Sequence, residues 1–167
     1  TEAPVQAEGQ AAIAEAFDFD HLSAVSDPAV EASDCGAAVV YYEDQPPAVD
    51  EGASVLLDKG QLLRMRAPEP AEGRRMANRL RAVQLLRQKA AGQRLTEGWV
   101  EGPCAEAADL RGINRLMIDF FDDSRFVTDL FDFVTELGIR FARAQVQAGA
   151  ELIGIGDAAA SLVGPEL

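Results

Sequence analysis

The chain has 167 residues, 48% of them hydrophobic, and its 28 acidic against 15 basic side chains give a net charge of -13. This composition is typical of one ordinary globular domain with a real core. The negative charge argues against binding to nucleic acid and against a polybasic membrane anchor, because both need clustered Lys and Arg. We therefore expect a small ligand, or one held inside a pocket.

The numbers and spacing of cysteine and histidine residues indicate whether disulfides are expected and which cellular compartment is favoured. Cys35 and Cys104 are the only cysteines and are far apart, and no Cys-x-x-Cys or His-x-x-x-His pair occurs. A disulfide framework is therefore not expected, and the cytoplasm is the predicted compartment. No apolar run reaches the ~18 residues of a membrane span, and no signal-peptide pattern opens the chain. Because the chain starts without Met, we expect a fragment lacking its N- and C-terminal parts.

Helical and extended patterns alternate along the sequence. In chain order they predict a helix at 5–17, an extended run at 21–26, a helix at 28–35, a strand at 37–42, one or two short helices at 55–65, a helix at 74–91, a strand at 95–100, helices at 112–121 and 125–148, and a strand at 151–155. The helix at 125–148 has a clear 3.6-residue apolar period. The continuous apolar run Ala37–Tyr42 is typical of a strand buried on both faces.

The alternation of strands and helices predicts an α/β fold with a parallel sheet. A (β/α)8 barrel takes ~250 residues, so 167 residues supply only part of one. A complete, small, doubly wound domain is the alternative.

Each predicted strand is followed by an acidic residue, namely Asp27, Glu43, Glu101 or Asp157. Because parallel strands point the same way, we expect these four carboxylates to converge at one rim, where α/β folds place their ligands. Converging carboxylates raise one another's pKa, exchange protons, bind metals or accept hydrogen bonds from substrate N–H groups. The alternative is that each acid simply caps a turn or a helix.

Three further residues of interest follow the Gly102-Pro103 turn. Cys104 begins the next helix, where free N–H groups can stabilise a thiolate; the alternative is a small residue packed under the turn. Asp109 and Arg111 lie within reach of the rim, or form a surface ion pair. The acids Asp119, Asp122 and Asp123 are interpreted as solvated capping charges.

Four runs of residues stand out for their combined spacing: Gly-Trp-Val-Glu-Gly-Pro at 98–103, Ala-Gly-Ala-Glu-Leu-Ile-Gly-Ile-Gly-Asp-Ala-Ala-Ala-Ser at 148–161, Gly164-Pro165, and the pair Ser26-Asp27. Together they resemble the uroporphyrinogen decarboxylase superfamily. This superfamily contains the decarboxylase of the haem pathway and cobamide-dependent methyltransferases acting in methanol, methylamine or chloromethane metabolism. The resemblance covers essentially the whole chain and implies the middle of a TIM barrel.

The resemblance implies roles for single residues, and these residues differ between the decarboxylase and the methyltransferase branches. Asp27 matches the decarboxylase aspartate that grips the pyrrole N–H groups. Asp109 stands where the decarboxylases have a tyrosine, and Ala158 where they have a serine. The turn from Asp157 to Ser161 looks more like the methyltransferase pattern.

The resemblance therefore favours a cobamide-dependent methyltransferase that transfers a methyl group to a thiol. Its implied cofactors are a corrinoid and zinc, with the zinc ligands outside this chain, and a corrinoid protein is an implied partner. Uroporphyrinogen decarboxylation without a cofactor is the alternative, and a catalytically silent barrel that binds a corrinoid protein is the third possibility. On this basis we assign catalytic roles to Asp27 and Asp157 and substrate binding to Glu43, Glu101, Cys104 and Asp109.

Overall fold

The structure is a computed structural model, and it describes residues 2–164. The chain forms two compact units. Unit 1 takes its residues from the ranges 1–26, 69–100 and 139–155, and unit 2 takes the ranges 27–68, 101–138 and 156–167. The prediction of a single barrel domain over 1–167 stays a prediction, and Pro165 of the Gly164-Pro165 motif lies outside the described residues.

Six α-helices and five strands are present in the described part of the chain. The helices are α1 (Ala3–Phe17), α2 (Val30–Asp34), α3 (Arg74–Ala90), α4 (Pro103–Arg111), α5 (Ile113–Asp122) and α6 (Ser124–Ala148). The strands are β1 (His21–Ser23), β2 (Val39–Val40), β3 (Ala48–Val49), β4 (Leu95–Glu101) and β5 (Leu152–Gly156). Short 3₁₀ segments occur at Glu51–Ala53, Lys59–Arg64 and Ala158–Leu162. Most predicted elements are confirmed, with shifts of a few residues at their ends.

A three-stranded sheet in the order β1-β4-β5 is the main β structure. β1 pairs in parallel with β4, with His21 opposite Leu95. Two hydrogen bonds join β4 and β5, from Glu151 N–H to Thr96 C=O (2.8 Å) and from Gly102 N–H to Gly156 C=O (2.7 Å). From the first bond to the second the residue numbers increase on both strands, so β5 is parallel to β4 as well. The predicted α/β class with parallel strands is confirmed for these three strands.

Each unit has its own apolar core. In unit 1, α1 and α3 contribute the alanines, Val83 and Leu86 that cluster around Leu22 of β1. In unit 2, α4, α5 and α6 supply buried side chains such as Leu110, Leu116 and Leu130. The apolar period predicted for 125–148 accounts for the buried residues Phe126, Leu130, Val134, Leu137 and Phe141. Val146 does not follow it, because its side chain is 54% exposed.

The prediction for Ala37–Tyr42 is wrong. Only Val39–Val40 is a strand, and it pairs antiparallel with Ala48–Val49 in a separate two-stranded ribbon. The side chain of Tyr41 is 63% exposed, so the run is not buried on both faces. The short connection containing Pro46 and Pro47 can join only antiparallel strands, because a parallel pair needs a long crossover connection.

Candidate functional site

Three of the four predicted strand-end acids follow strands of the parallel sheet. Asp27 comes after β1, Glu101 is the last residue of β4, and Asp157 follows β5 directly. All three belong to unit 2. Glu43 instead follows β2 and is exposed in the turn of the antiparallel ribbon, so the prediction that it ends a parallel strand beside the others is wrong.

Asp157 ties the end of β5 to the start of α4. Its Oδ1 accepts a hydrogen bond from Ala105 N–H at 2.8 Å, and its Oδ2 accepts one from Cys104 N–H at 3.1 Å. These N–H groups belong to the first turn of α4, where helical donors have no partner within the helix. A carboxylate at this end also complements the helix dipole. Both oxygens of Asp157 therefore fix the geometry of the turn, and its catalytic role stays a prediction.

Gly102 makes this approach of Asp157 possible. A Cβ at this position would lie 2.5 Å from both Cγ and Oδ2 of Asp157, which is far inside van der Waals contact. The backbone of Gly102 is extended, with φ -72° and ψ 159°, so only the missing side chain is required here. The Gly-Pro step after β4 is thus a close-packing requirement of the site.

We expect Gly102→Ala to lower the free energy of unfolding by about 1–3 kcal/mol, because the new methyl group must push Asp157 away from the α4 amides. Urea unfolding of the variant measures this loss. Gly9→Ala is the matched control, since a Cβ at the exposed Gly9 of α1 meets nothing within 4 Å. The control should be neutral or slightly stabilising. Equal stability of Gly102→Ala and wild type would contradict the packing described for this turn.

Asp27 lies three residues before the start of α2 and is almost fully buried. Its Oδ1 accepts a hydrogen bond from Ala29 N–H at 3.2 Å, and the residue is 5% exposed. One turn further on, Oε1 of Glu31 accepts a hydrogen bond from Glu101 N–H at 3.1 Å. The side chain of Glu31 thereby links α2 to the end of β4. The catalytic role of Asp27 and the substrate-binding role of Glu101 stay predictions.

Four carboxyl groups form a group within unit 2 that we call the acid cluster: Glu31, Glu101, Glu106 and Asp109. Glu106 and Asp109 lie three residues apart on α4, a spacing that places them on one face of the helix. Glu106 is only 2% exposed. Neither of its carboxyl oxygens has a hydrogen-bond partner among the described residues.

The pKa values of the acid cluster reflect burial first and mutual repulsion second. Burial, then the charges of Glu31, Asp109 and Glu101, raise the pKa of Glu106 well above its ordinary value. Burial, then the charges of Glu101, Glu31 and Glu51, raise the pKa of Asp109 to about 7. An acid that is half protonated at neutral pH can both accept and donate a proton, as general acid–base chemistry requires. Asp109 is therefore the chemically most capable of the predicted site residues.

Cys104 is buried in the core of unit 2. Burial, followed by the charge of Asp157, raises the pKa of its thiol. The α4 amides that we expected to stabilise a thiolate are already bonded to Asp157, so the thiolate hypothesis is wrong and the packed alternative describes the residue. Cys35 packs beside the same core, and burial likewise raises its pKa. Both cysteines are free thiols.

The structure also changes the interpretation of Arg111 and Asp119. Nε of Arg111 donates a hydrogen bond to Oδ2 of Asp119 at 2.7 Å, and Lys59 Nζ lies 2.6 Å from Oδ1 of Asp119. Asp119 is 4% exposed, so the prediction of a solvated capping charge is wrong. Arg111 also donates to Leu56 C=O at 2.6 Å, so it holds the structure of unit 2 and does not form a surface pair with Asp109. The capping prediction for Asp123 is confirmed by its bond from Phe126 N–H at 3.2 Å.

Glu31 and Glu106 are functional candidates that the sequence analysis missed. Glu106 is surrounded by Ala105, Ala107 and Ala108, and such small neighbours indicate a closely packed helix face. That signal marks Glu106 as buried, whereas its position in a first helical turn suggested only a cap. Glu31 carries no comparable signal, because its partner is the backbone of a residue 70 positions away.

The family model for uroporphyrinogen decarboxylase (URO-D) matches residues 1–167. The chain belongs to the uroporphyrinogen decarboxylase family. Two curated members that resemble it are methylcobamide:CoM methyltransferases MtaA, one from Methanosarcina barkeri and one from its strain Fusaro / DSM 804. Each is 33% identical, over 82 and 89 residues, which cover 49% and 52% of this chain and 24% and 26% of the relatives. The matched segments thus span about a quarter of these relatives.

A solved structure of similar fold is a methyltransferase from Methanosarcina mazei, with a TM-score of 0.80 and 24% sequence identity. The match covers 99% of this chain and 49% of that chain. At this identity the likeness shows the fold alone, and this chain corresponds to about half of that structure. No helix of residues 2–164 is long and apolar enough to cross a membrane.

Proposed function

We propose that the chain is part of a barrel enzyme of the uroporphyrinogen decarboxylase family that transfers a methyl group from a corrinoid to a thiol. The observation that carries this proposal is the 33% identity to two methylcobamide:CoM methyltransferases. The geometry is compatible with it, since the residues matched to the family place carboxyl groups at the ends of parallel strands. The free thiols of Cys35 and Cys104 suit the cytoplasm, which we propose as the compartment.

In this proposal the residues of unit 2 handle the thiol proton. When a thiol becomes a nucleophile, its S–H bond breaks, the electron pair stays on sulfur and the proton needs an acceptor. Asp109 is suited to accept it, because the pKa of about 7 leaves much of the carboxylate ionised at neutral pH. Asp27 and Glu101 would orient the ligand, and Asp157 would hold the turn that presents α4.

Zinc supplies Lewis-acid activation of the thiol in the methyltransferase branch. The described residues contain no group of three or more His, Cys, Asp and Glu side chains able to hold a metal. This part of the chain does not fit a zinc site, and we propose that the zinc ligands lie outside residues 2–164.

The test is thiol-dependent demethylation of methylcobalamin by the protein expressed from its complete gene. We expect loss of methylcobalamin and formation of one methyl thioether per corrinoid demethylated. Decarboxylation of uroporphyrinogen without demethylation would favour the alternative, in which Asp27 stabilises the protonated pyrrole. Corrinoid-protein binding without either reaction would favour the silent barrel.

We expect Asp27→Asn to lower the demethylation rate about 10²-fold, because the substitution removes a charge at the rim and keeps the shape of the side chain. The rate at saturating methylcobalamin measures this effect. Asp44→Asn, in the exposed turn after β2, is the control and should leave the rate unchanged. An unchanged rate for Asp27→Asn would remove Asp27 from the proposed site.

A further inference from the structure

Glu106 is the most unusual polar residue of unit 2. Its side chain is 2% exposed, and both carboxyl oxygens lack a hydrogen-bond partner among residues 2–164. Other acids of the site have such partners: Asp157 accepts hydrogen bonds from two α4 amides, and Glu31 accepts one from the Glu101 N–H. An ionised carboxylate buried without hydrogen bonds is very costly, so such groups take up a proton instead.

The surroundings of Glu106 make the ionised form still less favourable. On its own helix, Asp109 lies one turn further on. From α2, which packs against α4, come Glu31 and Cys35, and the charge of Glu106 is among the causes that raise the pKa of Cys35. Glu101 is the last residue of β4, and Asp157 accepts hydrogen bonds from two amides at the start of α4. Further charged residues near α4 are Asp34 of α2, Glu51, and Arg111 with its partner Asp119 from α5.

We propose that Glu106 is a buried proton-binding site that holds one exchangeable proton at neutral pH beside the carboxyl groups of the acid cluster. When protonated, Glu106 gains an O–H donor, and the acid groups whose charges act on it are Glu31, Asp109 and Glu101. That proton relieves the repulsion among carboxyl groups placed so close together. Glu106 is thus a positioning residue, which sets the proton content of the acid cluster.

The proposal concerns the resting protein and does not depend on methyl transfer. The ligand of this site is the proton itself. A positively charged ligand bound at the rim would compete with that proton for the carboxylates of the acid cluster. A cation bound near Asp109 would favour release of the Glu106 proton to solvent. Failure of the demethylation assay would therefore leave this inference standing.

The sign of the pH effect follows from the raised pKa. The folded state keeps the Glu106 proton above the pH at which the unfolded chain has lost it. The stability linked to this proton is fully present below the ordinary glutamate pKa of about 4.3 and is lost as pH rises toward the folded pKa. Unfolding at pH 7 should therefore release the Glu106 proton to solvent.

The experiment compares wild type with Glu106→Gln, a neutral residue of the same shape. Calorimetric unfolding at pH 7 in buffers of different ionisation enthalpy counts the protons released. We expect one proton fewer for Glu106→Gln than for wild type, and a melting temperature that exceeds wild type increasingly from pH 5 to pH 8. Glu136→Gln, at an exposed position of α6, is the control and should match wild type in both.

A second measurement needs no variant and so covers the case in which Glu106→Gln fails to fold. The carboxyl ¹³C resonance of Glu106 in the wild-type protein is followed from pH 4 to pH 8. A chemical shift that stays at the protonated value through pH 7 supports the proposal. A resonance that titrates near the ordinary value of about 4.3, or equal proton release by wild type and Glu106→Gln, would overturn it.

Discussion

Replacing Asp119 by alanine is expected to lower the free energy of unfolding by about 3–5 kcal/mol. The substitution leaves the buried guanidinium of Arg111 without its carboxylate, and removing one member of a buried pair costs far more than losing a surface bridge. Arg111 cannot simply turn to solvent, because its NH1 group also bonds to the carbonyl groups of Leu56 and Leu57. Urea unfolding at pH 7 measures the loss.

The pH dependence gives an independent check on this pair. Burial alone would raise the pKa of Asp119, but hydrogen bonds from Arg111 and Lys59 outweigh it and lower the pKa. The stabilisation is therefore present above the ordinary aspartate pKa of about 3.9 and is lost as pH falls through the lowered folded value. Asp129→Ala, at an exposed position of α6, is the matched control. Similar stabilities for Asp119→Ala and Asp129→Ala would contradict the buried pair.

The second large effect is expected for Asp109→Asn, which should reduce the demethylation rate about 10²-fold by removing a proton acceptor. The wild-type rate should fall about tenfold per pH unit below the Asp109 pKa of about 7, where the carboxylate is protonated. The rate of the variant should not show this decrease at low pH. Rates measured from pH 5 to pH 9 for both proteins test the prediction.

Asp109→Asn should lower the demethylation rate but raise the stability of the folded protein. Because the folded pKa of Asp109 is raised, its contribution is fully present below the unfolded pKa and is lost as pH rises through about 7. Asp109→Asn should therefore be more stable than wild type above pH 7. Asp132→Asn, an aspartate of α6 outside the acid cluster, is the control and should change neither quantity. A less stable Asp109→Asn protein with an unchanged pH profile would contradict the assigned role.

The elements that the sequence predicted well are those whose signal is local. Helix α3 begins at Arg74 and ends at Ala90, next to the predicted end at 91, because its apolar period and the glycine that follows it both lie within the segment. Strands β4 and β5 were likewise found from short apolar runs bounded by glycine. Their carboxyl ends then placed Glu101 and Asp157 correctly.

The run Ala37–Tyr42 shows where local signals fail. Its composition favours a buried parallel strand, yet burial depends on which segment lies opposite, and a six-residue sequence does not contain that information. The turn at Pro46 and Pro47 selects the nearer partner, Ala48–Val49. Glu43 is consequently exposed, although its sequence context resembles that of Glu101.

The long-range contacts of the site were beyond prediction for a related reason. The bond from Glu31 to the Glu101 amide joins residues 70 positions apart, and Asp119 meets both Arg111 and Lys59 only after α5 has packed. A first-turn glutamate such as Glu106 is usually a solvated cap. Only the packed structure shows that it is buried without a partner.

We propose that the carboxyl ends of β4 and β5, together with the start of α4, form the ligand site. The most direct test is a titration of methylcobalamin into isotope-labelled protein, with the backbone amide resonances followed by NMR. We predict that the largest shift changes fall in residues 101–109 and around Asp157. Changes confined to other parts of the chain, or none at saturating methylcobalamin, would contradict the claim.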